Sequence, residues 1–138
     1  MMWKIYVGTF AEQFFSMRFD PDTLEASDLR TIPNPFHRSA FFALSSDGKT
    51  MYTANEFQKG PGGIAAFRLN GEDDPTFLNA RESNSQGPAH ISLLRAYDRD
   101  FVLGSGFFEG DVIVCPTAED GSLMPISEKI TLALFVYS

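Results

Sequence analysis

Positive charge is scarce in this 138-residue chain, where eleven Lys and Arg stand against eighteen Asp and Glu for a formal charge of -7. No basic tract occurs anywhere along it. A site built on a nucleic-acid backbone needs concentrated cations to release counterions, so no nucleic-acid partner is expected. A few converging arginines can still make a pocket for an anionic substrate in an acidic protein. Cysteine is nearly absent as well. The single Cys115 has no internal disulfide partner, and the amino terminus lacks the basic, apolar and small-residue order of a signal peptide. Both point to a reducing, cytoplasmic setting. The longest apolar run, residues 130–137, is far too short to cross a bilayer as a helix, so no membrane partner is expected. Two His and one Cys sit at no zinc-ligand spacing and no defined calcium loop is present. No metal site and no cofactor are assigned on this basis.

What is abundant is apolar and aromatic. The hydrophobic share is 43% and the aromatic share 14%, carried mainly by 14 Phe. That supplies enough apolar area to offset the ordering entropy of a folded domain. Length allows a single core.

The fragments Ile5-Tyr6-Val7-Gly8-Thr9, Met51-Tyr52-Thr53-Ala54-Asn55 and Phe101-Val102-Leu103-Gly104-Ser105 are rich in β-branched and aromatic residues and flanked by turn formers, so they read as strands. Their starts lie 46 and then 50 residues apart, the spacing of a repeated supersecondary unit. A second strand follows each: residues 14–19, 63–69 and 111–115. Each then runs into an acidic turn, after which a further short strand begins near Leu24, Thr76 and Leu123. Ahead of the middle strand in the second and third units stands one more apolar stretch, residues 41–44 and 90–94. The complete unit therefore has four strands, named a to d from the first.

An all-β chain of four-stranded units at this period fits a β-propeller, with a single sandwich or barrel as the competing architecture. The approximate units are 1–34, 35–84 and 85–138. The first starts directly with a b-like strand and lacks its innermost strand a. Closed rings ordinarily use four or more blades, so about three units read as a propeller fragment with open edges available for self-association. The tail at residues 130–137 combines β propensity with no charge or proline. It is expected either to fold back as a substitute edge strand or to pair between molecules; concentration-dependent oligomers are expected, and improved solubility of a version ending at Ser127 would support pairing between molecules.

Antiparallel order puts the start of a, the end of b and the start of c on one face. The loops with His37, residues 56–62, 86–90 and 107–110 should share that rim.

The segments Tyr6-Val7-Gly8-Thr9, Leu44-Ser45-Ser46-Asp47-Gly48-Lys49, Tyr52-Thr53-Ala54-Asn55-Glu56, Gly62-Gly63-Ile64-Ala65-Ala66-Phe67, Gly87-Pro88-Ala89-His90-Ile91-Ser92 and Glu119-Asp120-Gly121-Ser122-Leu123 occur in an order that resembles the 6-phosphogluconolactonase family of seven-bladed propellers, related to the carboxymuconate-lactonizing propellers. The resemblance runs from Ile5 to about Pro125. It implies hydrolysis of the ester of a phosphorylated sugar lactone in carbohydrate metabolism, with part of the catalytic inventory in later blades. The alternative is a noncatalytic propeller-type interaction or assembly module.

His90 and Glu56 are the catalytic candidates and Arg38 the substrate-binding one. His90 shares a strand face with Ser92, which offers a base and a hydroxyl without a nucleophile elbow; the competing role is structural hydrogen bonding. Glu56 either orients water or, with Asn55, organises the connection between strands b and c. Arg38 either attracts an anion or is solvated, and His37 beside it is a weaker candidate. Cys115 reads as a small core residue. Gly104 to Gly110 superficially suggests a dinucleotide loop, but its glycine spacing is wrong and a strand follows.

Overall fold

The computed structural model describes residues 1–57 and 61–132. Among them the chain forms strands joined by turns and short linkers, arranged in three antiparallel sheets in which chain order is spatial order. The first sheet holds β1 (Trp3–Val7), β2 (Phe14–Asp20) and β3 (Glu25–Ile32). The second holds β4 (Ser39–Leu44), β5 (Thr50–Asn55), β6 (Gly63–Asn70) and β7 (Asp73–Glu82). The third holds β8 (His90–Ala96), β9 (Arg99–Ser105), β10 (Asp111–Pro116) and β11 (Glu128–Thr131). The all-β reading and the three-stranded first blade both hold.

Alternation along strands builds two cores from one middle sheet. Successive side chains point to opposite faces. Tyr52, Ala54, Ile64 and Ala66 therefore pack with Ile91, Val102, Ile113, Cys115 and Leu123 of the third sheet. Their neighbours Met51, Ala65 and Phe67 pack with Phe14 and Ile32 of the first. All six residues of β5 are buried, because this sheet is covered on both faces. Phe14 meets Phe67 and Phe42 edge-on at ring separations of 5.1 and 5.4 Å, the geometry that places a positive ring edge on a negative face. Polar ties cross the same joints: Lys4 Nζ donates to the carbonyls of Gly71, Glu72 and Asp73 at 3.1, 3.0 and 2.7 Å.

The third blade corrects the expected position of its last strand. Leu123 makes only an isolated bridge to Thr117, because side chains of the second blade occupy its backbone. Its N–H donates to Asn79 Oδ1 at 2.8 Å and its carbonyl accepts from Asn79 Nδ2 and the Arg81 guanidinium. Pairing with β10 resumes at Ser127, whose N–H reaches the Val114 carbonyl at 2.9 Å, and continues through β11. Part of the expected apolar tail, Ile130 and Thr131, is thus an edge strand; residues 133–137 of that expectation lie outside the described residues. Among the described residues no helix is long and apolar enough to cross a membrane.

Candidate functional site

Strand register brings the expected rim together. Ser39 pairs with Asn55 and Asn55 with Gly63, while His90 pairs with Ser105 and Ser105 with Val112. The starts of β4, β6, β8 and β10 thus lie at the same face as the ends of β5 and β9.

Asn55 organises this rim from inside. It is fully buried, its Nδ2 donates to the His37 carbonyl and to Ser39 Oγ, and its Oδ1 accepts from the Thr53 hydroxyl at 2.7 Å. Asn34 Nδ2 donates to the same Ser39 Oγ at 2.8 Å. His37 and Arg38 both have positive φ, 55° and 49°, a conformation rarely held by residues with a Cβ. Backbone bonds hold it in place, from His37 N–H to the Asn34 carbonyl and from Arg38 N–H to the Ala11 carbonyl. The Asn55 side chain therefore fixes the connection between the first two blades, a different connection from the b–c one expected for it.

The three candidates sit around that anchor. Arg38 is half-buried with its guanidinium 5.6 Å from the Phe57 ring centroid, and Phe36 meets Phe57 edge-on with ring centroids 6.4 Å apart. Glu56 is half-buried between Asn55 and Phe57, whose N–H donates to the Gln86 carbonyl at 2.7 Å. His90 is exposed and lies against Phe41 of the neighbouring blade, the ring centroids 4.4 Å apart. Ser92 is exposed on the same side while Ile91 is buried, as strand alternation requires. Among the described residues no hydrogen bond, ion pair or ring contact joins His90, Glu56 and Arg38 to one another, and no carboxylate pairs with Arg38. They share a rim without closing into a contiguous triad.

Close backbone approach shapes the floor between Glu56 and His90. Gly87 has φ +94°, and a Cβ there would collide with the Asn55 carbonyl oxygen and the Gly63 nitrogen. The Gly104 to Gly110 segment is the β9–β10 hairpin, closed by Gly106 N–H on the Asp111 carbonyl, with a strand and not a helix after it. Cys115 is fully buried, and burial pushes its thiol up to about 11. Among the described residues no group of three or more His, Cys, Asp or Glu gathers as a metal site.

Two polar clusters escaped sequence reasoning. Asp100 is buried and accepts from Ser46 N–H and Oγ at 2.9 and 2.8 Å and from Arg95 Nη1 at 3.4 Å. Asp111 is buried beside the rim with Lys129 Nζ 3.5 Å from its Oδ2, and Lys129 also donates to the Ser83 and Asn84 carbonyls. Both depend on partners from different units, so only the acidic residues themselves were visible as signals.

One three-stranded and two four-stranded antiparallel sheets, each in chain order and packed against the next, define a β-propeller segment. The family model for the lactonase seven-bladed β-propeller matches residues 4–133, and the chain belongs to that family. A curated relative, the 6-phosphogluconolactonase of Bacillus subtilis, is 30% identical over 132 residues, covering 89% of this chain and 36% of the relative. A solved Bacteroides fragilis structure described as a candidate 6-phosphogluconolactonase superposes with a TM-score of 0.73 at 25% identity, over 94% of this chain and 35% of that one. The periplasmic gluconolactonase of Pseudomonas aeruginosa gives a TM-score of 0.79 at 21% identity, over 94% and 39%; that likeness is one of fold. The chain spans little more than a third of the length of these relatives.

Proposed function

We propose that a ring containing these blades hydrolyses the internal ester of a phosphorylated sugar lactone, and that the rim carrying His90, Glu56 and Arg38 faces the substrate. The observation that supports this reading is the strand register that puts those three residues on one rim, in a chain 30% identical to a 6-phosphogluconolactonase. The imidazole and the guanidinium there have no carboxylate partner among the described residues.

The chemistry follows from the groups. His90 removes a proton from water as the water oxygen bonds to the lactone carbonyl carbon. The oxyanion collapses, the ring C–O bond breaks, and the departing ring oxygen takes up a proton, leaving a carboxylic acid and a hydroxyl. Glu56 orients the water. Arg38, held over Phe57, presents its planar fork to the phosphate. Nothing in this sequence of steps demands a metal. A cytoplasmic setting and a place in the pentose phosphate pathway belong to the same reading.

A noncatalytic assembly role is the second reading, favoured by the lack of any contact among His90, Glu56 and Arg38 in the described residues. A chimaera separates the two: residues 4–133 replace the matching third of the Bacillus enzyme, and turnover of 6-phosphogluconolactone is measured above its spontaneous hydrolysis. The lactonase reading expects turnover within about tenfold of the parent, a loss of no more than about 1.4 kcal/mol. A folded chimaera with no turnover supports the assembly role.

A further inference from the structure

The two end sheets are apolar on both faces, and the core uses one face of each. On β1 and β2 the positions turned toward the second blade, Tyr6 and Phe14 among them, pack against it. The alternate positions pair directly across the two strands, Trp3 with Phe19, Ile5 with Met17 and Val7 with Phe15. Successive side chains take opposite faces, so these six stand on the side away from the second blade. None of them belongs to either core among the described residues. Trp3 is 52% exposed and the other five are half-buried. The third sheet has the same arrangement at the other end. Its Ile91, Val102, Ile113 and Cys115 pack toward the second blade. On its opposite face, register puts Leu94 beside Phe101, Leu103 beside Val114 and Val112 beside Ile130. Leu94 and Ile130 are 50% and 49% exposed, and the remaining four are half-buried.

Soluble monomers rarely expose a contiguous apolar patch of more than a few hundred Å². Both outer faces continue a series of interfaces already built into the fold. The first and second blades, and the second and third, are joined by apolar alternates of one sheet against those of the next. The outer face of the third sheet offers one half of a further joint of this kind, and the outer face of the first sheet offers the other. One chain thus carries both halves, which singles out a second copy as the occupant. We propose that this chain associates head to tail, the outer face of the first blade of one copy packing on the outer face of the third blade of another. Such a contact is heterologous. It uses side chains on sheet faces, unlike pairing through open backbone edges, and it is independent of lactone hydrolysis.

Trp3, the single tryptophan, reports on the first face. As the concentration of the full chain is raised, sedimentation is expected to show mass above one chain, with Trp3 emission moving to shorter wavelength as its ring is covered. Met17→Asp disables the first face and Leu103→Asp the last, because an unpaired carboxylate in an apolar contact is costly. Each variant alone is expected to shift association at least about tenfold to higher concentration. Mixed, the two are expected to form a one-to-one complex that grows no further, since the Leu103→Asp protein keeps a working first face and the Met17→Asp protein a working last face. Trp3→Glu and Leu94→Glu, at more exposed positions, replace either aspartate variant that thermal melting shows to be unfolded. Three results overturn the proposal: a full chain that is monomeric at every concentration, a folded variant that associates with itself as tightly as the unmodified chain, or no complex on mixing. The second of these would indicate pairing of like faces or of strand edges.

Discussion

Asp100 shows how much a single side chain can do at a joint between blades. Burial alone would raise its pKa, but the hydrogen bonds from the Ser46 backbone and hydroxyl and from Arg95 outweigh it, so the net direction is downward from 3.8. The unfolded chain then binds this proton more tightly than the folded one. The stabilisation is present above the ordinary carboxylate value and is lost as pH falls through the lowered one. Asp100→Asn is expected to cost about 1–3 kcal/mol at neutral pH, with the difference narrowing in acid; urea melts of both proteins at neutral pH and near pH 3 check this. Cys115 illustrates a residue read correctly from its neighbours alone, since an apolar strand buries it. With its thiol pushed up to about 11 and donating to the Met124 carbonyl at 3.1 Å, it should resist iodoacetamide in the native chain and react after unfolding. Asn55 was harder to read. Its partners His37 and Ser39 lie 18 and 16 residues earlier, and no local pattern connects them.

Strands were legible where alternation and turns coincide. The β8–β9 hairpin turns on Tyr97 and Asp98, both at positive φ, as tight two-residue turns demand, and the sequence marks that turn clearly. The last strand was misplaced because Leu123 looks like a strand residue, while the groups that occupy its backbone, Asn79 and Arg81, belong to another blade. That finding bears on the fold-back alternative for the tail. Cutting the chain after Ser127 removes β11 and bares the β10 edge at Val112 and Val114, so the shortened chain should be less soluble than one ending at Leu132. Light scattering across a dilution series distinguishes the two. The linker into β8 makes a further prediction. Gly87→Ala places a Cβ against the Asn55 carbonyl at an unfavourable φ, and it should cost more than about 1 kcal/mol, read by thermal melting.

At the scale of the molecule, the 46- and 50-residue spacing revealed the blades, because each repeats its own hairpins. What joins one blade to the next is less visible: the Ser46 to Asp100 bond spans 54 residues and forms only once two turns from different units meet. The rim was legible because antiparallel order alone determines which strand ends share a face. The sequence could not show whether the side chains placed there touch, and His90, Glu56 and Arg38 do not. The common role proposed for them therefore requires a substrate lying between them. The most direct test is His90→Ala in the active chimaera, with turnover and melting measured on the same preparation. The account predicts a loss of about 10²-fold or more in kcat/KM with the melting temperature unchanged. Full turnover by a folded His90→Ala chimaera would contradict it.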